Sequence, residues 1–553
     1  MTILDVRQPL WADPVPAAPV GELHAMSGEW RTAFVPGSRP SVTAPGGVEW
    51  SLKCVHPLPV RRRAIGYPYP PVREGLAYEV VAGSEMERET GPEDGWLLEL
   101  RSQTPGRYTL RVGNDDVILN VGAVKAPETP VLSTAFGTDV EPALWDRYFG
   151  HFKATTAAQR AEIIQSWHER LHGLGLTPYQ PHWWLWLLGK GSTSDSSQYF
   201  DGQEFSYGSA DQYLAEYGRE FMVQSIGLYL RQTRPGAFAP NGVPQDQANL
   251  VAFYQAIARW QARTGLRAWV HVDEAGGRYD TPTSMARVRR LAESGAAAGV
   301  MVGGTAFAES ALKRWADSRI HYGRYVLAHA KWDWQQTSPA SLIPSGVELW
   351  FYGAARHPAF YMATGGLPAI QMVVDAWRFG AKGILYWAIN RMDAGDEDED
   401  PAMKLTGNNV DIWMYPDFSL SLRAYHWREA LSFHSLLVAV EKSKGRAAVQ
   451  TALALLPDVE AVRRTLLATA PLLDNTLREA AKTVPFVRIN RQAALLATIL
   501  RDGFIPTSNE FETTFSGAQY IVQRAENAAS GEVRLYYVLS GHWAPVRWLP
   551  LAV

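Results

Sequence analysis

Residues 269–274 read Trp-Val-His-Val-Asp-Glu, an alternating apolar run that ends in two adjacent carboxylates. The two-residue period is that of a β-strand, and Asp273 and Glu274 stand at its carboxyl end. Gln245–Thr264 before the run and Thr283–Ser294 after it have the apolar spacing of amphipathic helices. The stretch therefore predicts a strand whose two carboxylates lie where it passes into a strand-to-helix loop.

Strands and helices continue to alternate from residue 129 to residue 444. Seven strands are predicted there, at Val131–Phe136, Thr177–Gln180, Ala268–Val272, Gly299–Val302, Tyr325–Ala328, Glu348–Tyr352 and Gly383–Trp387. An eighth is expected near Met222–Leu230 or Trp183–Leu188. Further helices are predicted at Thr155–Leu174, Asp211–Arg231 and Pro368–Phe379. The count favours a (β/α)8 TIM-like barrel, in which the carboxyl ends of the strands carry the functional residues.

The two ends of the chain have other patterns. Residues 1–128 contain short alternating runs between Gly, Pro and Asn-Asp turns, which is typical of an antiparallel β-sandwich. Residues 445–553 combine a helical stretch at Ala447–Ala480 with strands at Tyr520–Arg524 and Val533–Leu539. A multidomain α/β protein is expected: a β-sandwich, a barrel over residues 129–444, and a small α+β appendage of unknown role.

Composition limits the classes of partner. The 553 residues include 53 basic and 56 acidic side chains, the net charge is −3, and no basic stripe is present, which argues against nucleic acid. No apolar stretch is long enough to span a membrane, so no membrane partner is expected. No signal peptide is visible, and the default expectation is a cytoplasmic location. Nothing in the sequence indicates the oligomeric state.

Neither a metal ion nor another cofactor is predicted. Cys54 is the only cysteine, so a disulfide within the chain and a cysteine-based metal cluster are excluded, and its expected role is that of a small buried hydrophobe. The acidic run Asp393–Asp400 is interpreted as a solvated loop rather than a calcium site. Aromatic side chains are 11% of the residues, with 21 Trp and 23 Tyr, and they suit stacking on the apolar faces of an uncharged sugar.

Two later strands are expected to contribute aromatic side chains to a pocket. In Glu348–Gly353, side chains alternate between faces, so Leu349 and Phe351 are expected in the core while Trp350 and Tyr352 form pocket walls. The strand that begins at Gly383 ends in an aromatic pair and an amide, which are predicted to form a platform near the substrate, although the segment taken alone fits core packing as well. These residues are Tyr386, Trp387 and Asn390.

His271 and Asp333 are further candidates for substrate binding. His271 precedes Asp273 by two residues and shares its face in a regular strand, where it can bind a sugar hydroxyl or tune a carboxylate. A core histidine with satisfied hydrogen bonds is an equal alternative. Asp333 lies between Trp332 and Trp334 after a predicted strand, an arrangement that suits a sugar subsite.

These segments together resemble the catalytic domain of glycoside hydrolase family 123, the β-N-acetylgalactosaminidases, and its uncharacterised relatives. The resemblance lies in order and spacing: a strand ending in Asp-Glu, a Trp-x-Tyr strand followed by Pro, and a helix with Trp377 leading to Gly-x-Leu-Tyr-Trp-Ala-x-Asn. Asn408–Pro416 and Ser421–Ala430 resemble the closing segment of the family. The similarity extends over roughly residues 130–440 and implies the barrel preceded by a β-sandwich.

The resemblance also implies substrate-assisted catalysis on a β-linked 2-acetamido sugar. Asp273 would orient and stabilise the 2-acetamido group as its carbonyl oxygen attacks the anomeric carbon. Glu274 would protonate the leaving oxygen and then deprotonate water, so configuration is retained. Glu274 must hold its proton near neutral pH, which an apolar aromatic pocket and the adjacent charge of Asp273 both favour.

Two alternatives stay open. A double-displacement glycosidase, or one with a different sugar specificity, would use the same scaffold through a covalent glycosyl-enzyme. A non-catalytic carbohydrate-binding or particle-associated structural protein would keep the aromatic side chains and dispense with Glu274. Ala275-Gly276-Gly277, where relatives commonly have Pro, and the unexplained residues 445–553 leave room for both alternatives.

Overall fold

The structure is a computed structural model. It describes residues 3–7, 10, 12, 19–60, 75–82, 94–136, 149–176, 201–206, 225–229, 247–265, 267–275, 295, 297–306, 325–329, 348–353, 358–360, 365–386, 413–415, 419–468, 495, 499, 502, 504–507, 511–515, 518–527, 533–539 and 547–551. Among the helices of these residues, none combines the length and the apolarity that a membrane crossing demands.

Two sheets occupy most of the N-terminal part. One contains β1 (Glu22–Ser27), β3 (Val42–Thr43), β7 (Gly106–Val112) and β8 (Asp115–Lys125), in the order β1-β8-β7-β3. The other has the order β16-β5-β4-β6-β2 and contains β2 (Arg31–Pro36), β4 (Val48–Val60), β5 (Gly75–Val81), β6 (Gly95–Ser102) and β16 (Leu420–Ser421). Strand pairing therefore crosses the predicted boundary at residue 128, because β16 comes from residue 420.

The two sheets share one buried cluster, which explains the alternation in their sequences. Val117, Leu119 and Val121 alternate with less buried residues along β8, and all three belong to this cluster. Leu98 and Leu100 of β6 belong to it as well. The alternating apolar residues that predict strands here are thus the residues that pack between the sheets.

A seven-stranded parallel sheet forms the middle of the chain. Its strands are β9 (Ser133–Phe136), β10 (Ser225–Tyr229), β11 (Arg267–Ala275), β12 (Met301–Ala306), β13 (Tyr325–His329), β14 (Glu348–Gly353) and β15 (Gly383–Tyr386). The order is β10-β11-β12-β13-β14-β15-β9, and every neighbouring pair is parallel. The first of these strands along the chain therefore pairs with the last at one edge of the sheet.

Six of the seven predicted strands coincide with strands of this sheet. The expected eighth strand is β10, inside Met222–Leu230, so the helix prediction at Asp211–Arg231 is wrong for residues 225–229. Thr177–Gln180 and Trp183–Leu188 lie outside the described residues. Among the described strands, β9 and β10 stand at the two edges of the sheet and do not pair with each other. The (β/α)8 barrel stays a prediction.

The helices predicted at Thr155–Leu174, Gln245–Thr264 and Pro368–Phe379 are confirmed, whereas the helix predicted at Thr283–Ser294 lies outside the described residues. The described ones are α1 (Ala157–Gly173), α2 (Gln247–Thr264), α3 (Leu367–Phe379), α4 (Leu422–Lys444), α5 (Arg446–Leu453) and α6 (Val459–Leu467). Thr156 begins α1 with a capping box, in which its side chain accepts from the Gln159 backbone N–H. Gly380 ends α3 with φ 71°, a left-handed conformation that glycine adopts without strain.

The helices that follow residue 445 are part of the main core. One buried cluster includes Leu97 of β6, Phe351 of β14, Trp427 of α4, Val449 of α5 and Val462 of α6. The division into domains stays a prediction, but α5 and α6 are packed against both earlier parts of the chain. Residues further on form a separate antiparallel sheet of β17 (Ile505–Pro506), β18 (Phe511–Phe515), β19 (Ala518–Glu526), β20 (Val533–Leu539) and β21 (Arg547–Leu551).

A buried network of ion pairs ties the N-terminal strands to α4 and α6. Arg31 of β2 is fully buried, and its Nη2 lies 3.1 Å from Glu429 Oε2 and 2.8 Å from Glu460 Oε1. Arg7 reaches the same oxygen of Glu460 at 2.5 Å. Burial alone would raise the pKa of Glu429, but the charges of Arg31, Arg463 and Arg7 lower it to about 2. The carboxylate therefore stays ionised inside the protein.

Helix α4 also buries two histidines. Burial lowers the pKa of His434 to about 4. Burial, with a contribution from Arg423, lowers that of His426 to about 4 against the opposing charge of Glu429. An unfolded histidine has a pKa of about 6.5, so below that pH the unfolded chain binds protons that the folded chain does not. The free energy of unfolding should therefore decrease as the pH falls from about 6.5 towards 4.

We expect His434→Gln to flatten this dependence. The variant removes one buried group that binds a proton only on unfolding, so its urea midpoint should change less between pH 7 and pH 5 than that of the wild type. His151→Gln, at an exposed position, is the matched control and should leave the slope unchanged. A His434→Gln slope equal to that of the wild type would contradict the assignment.

Candidate functional site

The two adjacent carboxylates lie at the carboxyl end of β11. The strand runs from Arg267 to Ala275, so Asp273 and Glu274 are the two residues immediately before its last residue. Strand β11 pairs with β10 on one side and with β12 on the other. The sequence prediction of a carboxylate pair at the end of a parallel strand agrees with this placement.

A β-bulge separates His271 from Asp273. His271 pairs with Gly303 and Asp273 with Gly304, so the residue between them has no partner of its own on β12. The two-residue spacing predicts one shared face for His271 and Asp273, but the extra residue puts them in consecutive rows of the sheet. His271 and Glu274 instead pair with Gly303 and Thr305, which are two residues apart on β12. Bulges are common beside active sites, where they redirect side chains.

Two glycines of the neighbouring strand pair with this end of β11. The two residues of β12 that pair with His271 and Asp273 are Gly303 and Gly304, which carry no side chain. Glycine inside a strand often marks a position where a ligand or another backbone comes close. The register then continues from Glu274 through Thr305 and Leu327 to Trp350 of β14. Glu274 and Trp350 therefore belong to one row of the sheet.

Strand β14 divides its side chains between two faces, as alternation predicts. Leu349 and Phe351 belong to the main buried cluster together with α3, whereas Trp350 and Tyr352 do not. Trp350 is 2% exposed and Tyr352 7%. The indole Nε1 of Trp350 donates to Glu348 Oε2 at 3.3 Å. Trp350 and Tyr352 thus lie on the face away from α3, and their role as pocket walls stays a prediction.

Tyr386 lies on the other face of the sheet. It pairs with Gly353, one position beyond Tyr352, and its side chain is fully buried in the main cluster. Its ring stacks on Phe360 with centroids 4.2 Å apart and an interplanar angle of 8°, and its centroid lies 5.3 Å from that of Trp413. The structure therefore does not bring Tyr386 together with Trp350 and Tyr352. Its described contacts are those of a packing residue.

Three predicted site residues lie outside the described part of the chain. They are Asp333, Trp387 and Asn390. Of the residues predicted to bind or act on a substrate, the structure thus places five positions on the parallel sheet besides Tyr386. These are His271, Asp273 and Glu274 on β11, and Trp350 and Tyr352 on β14.

Gly383 of β15 makes room for the indole of Trp350, which pairs with it across the sheet. A Cβ atom at position 383 would lie 2.4 Å from Cζ3 of Trp350, so the ring or the backbone would have to move. We expect Gly383→Ala to lower the free energy of unfolding by about 1–3 kcal/mol, the usual cost of overpacking a core. Urea denaturation measures this change.

Gly173→Ala at the end of α1 is the matched control, because a Cβ there meets nothing within 4 Å. Its expected effect stays within about 0.5 kcal/mol. Equal stability of the two variants would show that Trp350 does not occupy this position.

A cavity of about 460 Å³ lies elsewhere, between the N-terminal sheets and the start of β9. Its lining includes Trp30, Arg101, His172 and Arg428. The start of β9 is the amino end of a parallel strand, whereas Asp273 and Glu274 stand at the carboxyl end of β11. The cavity is therefore not part of the candidate site on the parallel sheet.

A second group of polar side chains is not predicted from the sequence, and it includes Cys54, which is half-buried rather than fully buried as expected. Cys54 and His56 of β4 and Asp94 before β6 each offer a ligand atom, and these atoms all lie within 4.8 Å of one another. The Cys-x-His spacing puts Cys54 and His56 on one face of a strand and is visible in the sequence. Asp94 lies about forty residues away along the chain and has no local signal. Only pairing between β4 and β6 brings it to the other two.

Comparison with known proteins gives structural similarities of low degree. No protein-family model matches the sequence, and no match is found among curated proteins. The catalytic domain of the major endoglucanase from Xanthomonas campestris pv. campestris is 10% identical, with a TM-score of 0.29, covering 55% of this chain and 96% of that one. A glycosyl hydrolase family 2 member from Bacteroides cellulosilyticus is 9% identical, with a TM-score of 0.27, covering 68% and 47%.

An uncharacterised protein is also similar, at 12% identity and a TM-score of 0.25, covering 72% of this chain and 88% of that one. Two of these three solved structures are thus glycoside hydrolases. At such TM-scores the likeness establishes neither a fold nor a family for this chain. A relation to glycoside hydrolase family 123 is not shown by any of the comparisons.

Proposed function

We propose that this protein is a glycoside hydrolase that cleaves a β-linked 2-acetamido-2-deoxy sugar, of the N-acetylgalactosamine type, with retention of configuration. The observation that carries the proposal is the position of Asp273 and Glu274 at the carboxyl end of β11 in the seven-stranded parallel sheet. In barrels built from such strands the chemistry lies at this end. The resemblance of the sequence segments to glycoside hydrolase family 123 supports the choice of sugar.

The two carboxylates have different roles in this mechanism. The carbonyl oxygen of the 2-acetamido group attacks the anomeric carbon, and the bond to the leaving oxygen breaks as Glu274 donates its proton to that oxygen. Asp273 stabilises the positive charge that develops on the acetamido nitrogen. Glu274, now ionised, takes a proton from a water molecule that attacks the anomeric carbon. This attack breaks the bond between that carbon and the acetamido oxygen, so the cyclised intermediate opens. Two inversions at one carbon retain the configuration.

The mechanism requires that two consecutive strand residues reach the same substrate. Two consecutive residues of a regular strand point to opposite faces and cannot reach one substrate. Asp273 and Glu274 are followed by only one more strand residue, Ala275, and are preceded by an irregular pairing at His271. Asp273 and Glu274 themselves pair in regular register with Gly304 and Thr305, so the proposal requires that the chain at the end of β11 directs both carboxylates to one sugar ring.

The surroundings on the sheet also suit a sugar. Gly303 and Gly304 leave the positions beside His271 and Asp273 without side chains. Trp350 belongs to the same row as Glu274, and Tyr352 follows two residues later on that face. Indole and phenol rings offer apolar surfaces for the C–H faces of a pyranose.

The test is hydrolysis of 4-nitrophenyl N-acetyl-β-galactosaminide and of its gluco epimer by the full-length protein. Release of nitrophenol, inhibition by a thiazoline analogue of the cyclised intermediate, and a β-configured first product in the NMR spectrum are expected. Trapping of a covalent glycosyl-enzyme by a fluorosugar would instead indicate double displacement. Binding of the same sugars without any hydrolysis would favour the carbohydrate-binding alternative.

A further inference from the structure

Three side chains with metal-binding atoms meet on the five-stranded N-terminal sheet, away from the parallel sheet. They are Cys54, His56 and Asp94, whose ligand atoms lie within 4.8 Å of one another. The Nδ1 atom of His56 lies 2.8 Å from Asp94 Oδ1. A sulfur, an imidazole nitrogen and a carboxylate oxygen thus converge from two paired strands.

The hydrogen bonds of this group are incomplete in the described part of the chain. The Nε2 atom of His56 is buried and has no hydrogen-bond partner there. Nδ1 faces Asp94, so an ion held between the three side chains would contact Nδ1, and Nε2 would take a water molecule as its partner, as the second ring nitrogen of a metal-binding histidine usually does. Asp94 is 5% exposed, so its carboxylate is also largely removed from solvent.

We propose that Cys54, His56 and Asp94 bind a zinc ion through three protein ligands, with the fourth position open to water. Zinc accepts thiolate, imidazole and carboxylate ligands in tetrahedral sites, at bond lengths of about 2.0–2.3 Å. Ligand atoms around such an ion are separated by roughly 3.3–3.8 Å. The observed group therefore needs to contract by about 1 Å at its widest.

A metal-binding cysteine and a nucleophilic cysteine both act as the thiolate. Burial and the nearby charge of Asp94 raise the pKa of Cys54 to about 11. A cysteine nucleophile reacts as the thiolate and needs a lowered pKa, so Cys54 is not suited to attack a substrate. A coordinating metal ion deprotonates the thiol and replaces its hydrogen bond to Asp94 by two bonds to the same cation.

The position of the site indicates what the ion would do for the fold. Cys54 and His56 belong to β4, the strand that pairs with both β5 and β6, and Asp94 directly precedes β6. An ion held by all three would join the middle of β4 to the start of β6. A ligand that binds only the folded state adds to its stability, so zinc should raise the melting temperature of the protein.

Cobalt titration of the metal-free full-length protein tests the proposal. Cobalt replaces zinc in such sites, and a cobalt–thiolate bond gives a charge-transfer band in the near ultraviolet. Because the chain has a single cysteine, this band reports on Cys54 alone. The expected result is a band that saturates at one equivalent, disappears on addition of zinc, and is absent in Cys54→Ser.

We expect His56→Asn and Asp94→Asn each to weaken cobalt binding at least 10-fold. His151→Asn, at an exposed histidine, is the matched control and should bind as the wild type does. Circular dichroism of the metal-free variants checks that each is folded. A second measurement uses the wild-type protein alone. The rate at which Cys54 is alkylated is measured by mass spectrometry, and one equivalent of zinc should lower this rate.

Three results would overturn the proposal. They are the absence of the thiolate band in the wild type, full-strength binding in folded His56→Asn, and a rate of alkylation that zinc does not change. None of these outcomes bears on hydrolysis at Asp273 and Glu274, which lie on another sheet.

Discussion

Glu274→Gln should lower the turnover of a 4-nitrophenyl 2-acetamido glycoside by a factor of about 10²–10⁴ while the protein stays folded. This is the usual contribution of a general acid–base group, which glutamine cannot replace because it neither donates nor accepts the transferred proton. The steady-state rate with saturating substrate measures the loss. Glu169→Gln, an exposed carboxylate of α1, is the matched control and should turn over as the wild type does.

The leaving group separates the roles of the two acids. A dinitrophenolate needs little protonation, so the loss caused by Glu274→Gln should shrink when the substrate carries 2,4-dinitrophenol. Asp273→Asn should lose activity with either substrate, because stabilisation of the acetamido group is needed whatever leaves. Turnover like that of the wild type in Glu274→Gln or in Asp273→Asn would exclude the proposed mechanism.

Arg31→Met should lower the free energy of unfolding by about 3–5 kcal/mol. Removal of one partner from a buried ion pair leaves the opposite charge without compensation, and methionine fills much of the space that the arginine side chain occupies. Here Glu429 and Glu460 would both lose a partner at 3.1 Å and 2.8 Å. The urea midpoint at neutral pH, with the slope of the transition unchanged, measures the effect.

Arg107→Met is the control for charge alone. Arg107 is exposed, and its pair with Glu22 is expected to contribute about 0–1 kcal/mol. A second arm adds Glu429→Gln to Arg31→Met, which should recover part of the loss because one unpaired charge is removed. If Arg31→Met lowers the free energy of unfolding as little as Arg107→Met does, the carboxylates of Glu429 and Glu460 are solvated and the network is not buried.

The strands of the parallel sheet could be predicted because their apolar runs are short and bounded by turn residues. Two sequence predictions overlap at strand β10, Ser225–Tyr229: a helix at Asp211–Arg231 and the expected eighth strand near Met222–Leu230. A five-residue apolar run has no period long enough to separate the two, and pairing with β11 decides for the strand.

The face of a side chain could be predicted only where the strand is regular. Alternation placed Trp350 and Leu349 on opposite faces correctly. Because of the bulge, His271 and Asp273 pair with consecutive residues of β12 rather than with residues two apart. A bulge depends on the partner strand, so the sequence of β11 alone cannot predict it. Tyr386 shows the same limit, because the residues that stack on it, Phe360 and Trp413, come from other segments.

The ion-pair network and the Cys54 group could not be predicted from the sequence. Charged residues are usually exposed, so a charge pattern gives no reason to bury Arg31 or Glu460. Helix α6 resembles an ordinary amphipathic helix of an appendage, and only its contacts with β1 and β8 show that it closes the core. Long-range pairing of this kind is a property of the folded chain.

Arg31 and Glu460 are 429 residues apart, and this distance has a consequence for the chain during its synthesis. A ribosome that adds about 5–20 residues per second takes roughly 20–90 s to cover the interval. Throughout that time the emerging N-terminal sheets carry Arg7 and Arg31 without the carboxylate that both contact. Glu429 of α4 is synthesised before Glu460 and pairs with Arg31, so the arrival of α6 completes the network by supplying the one carboxylate that contacts both arginines.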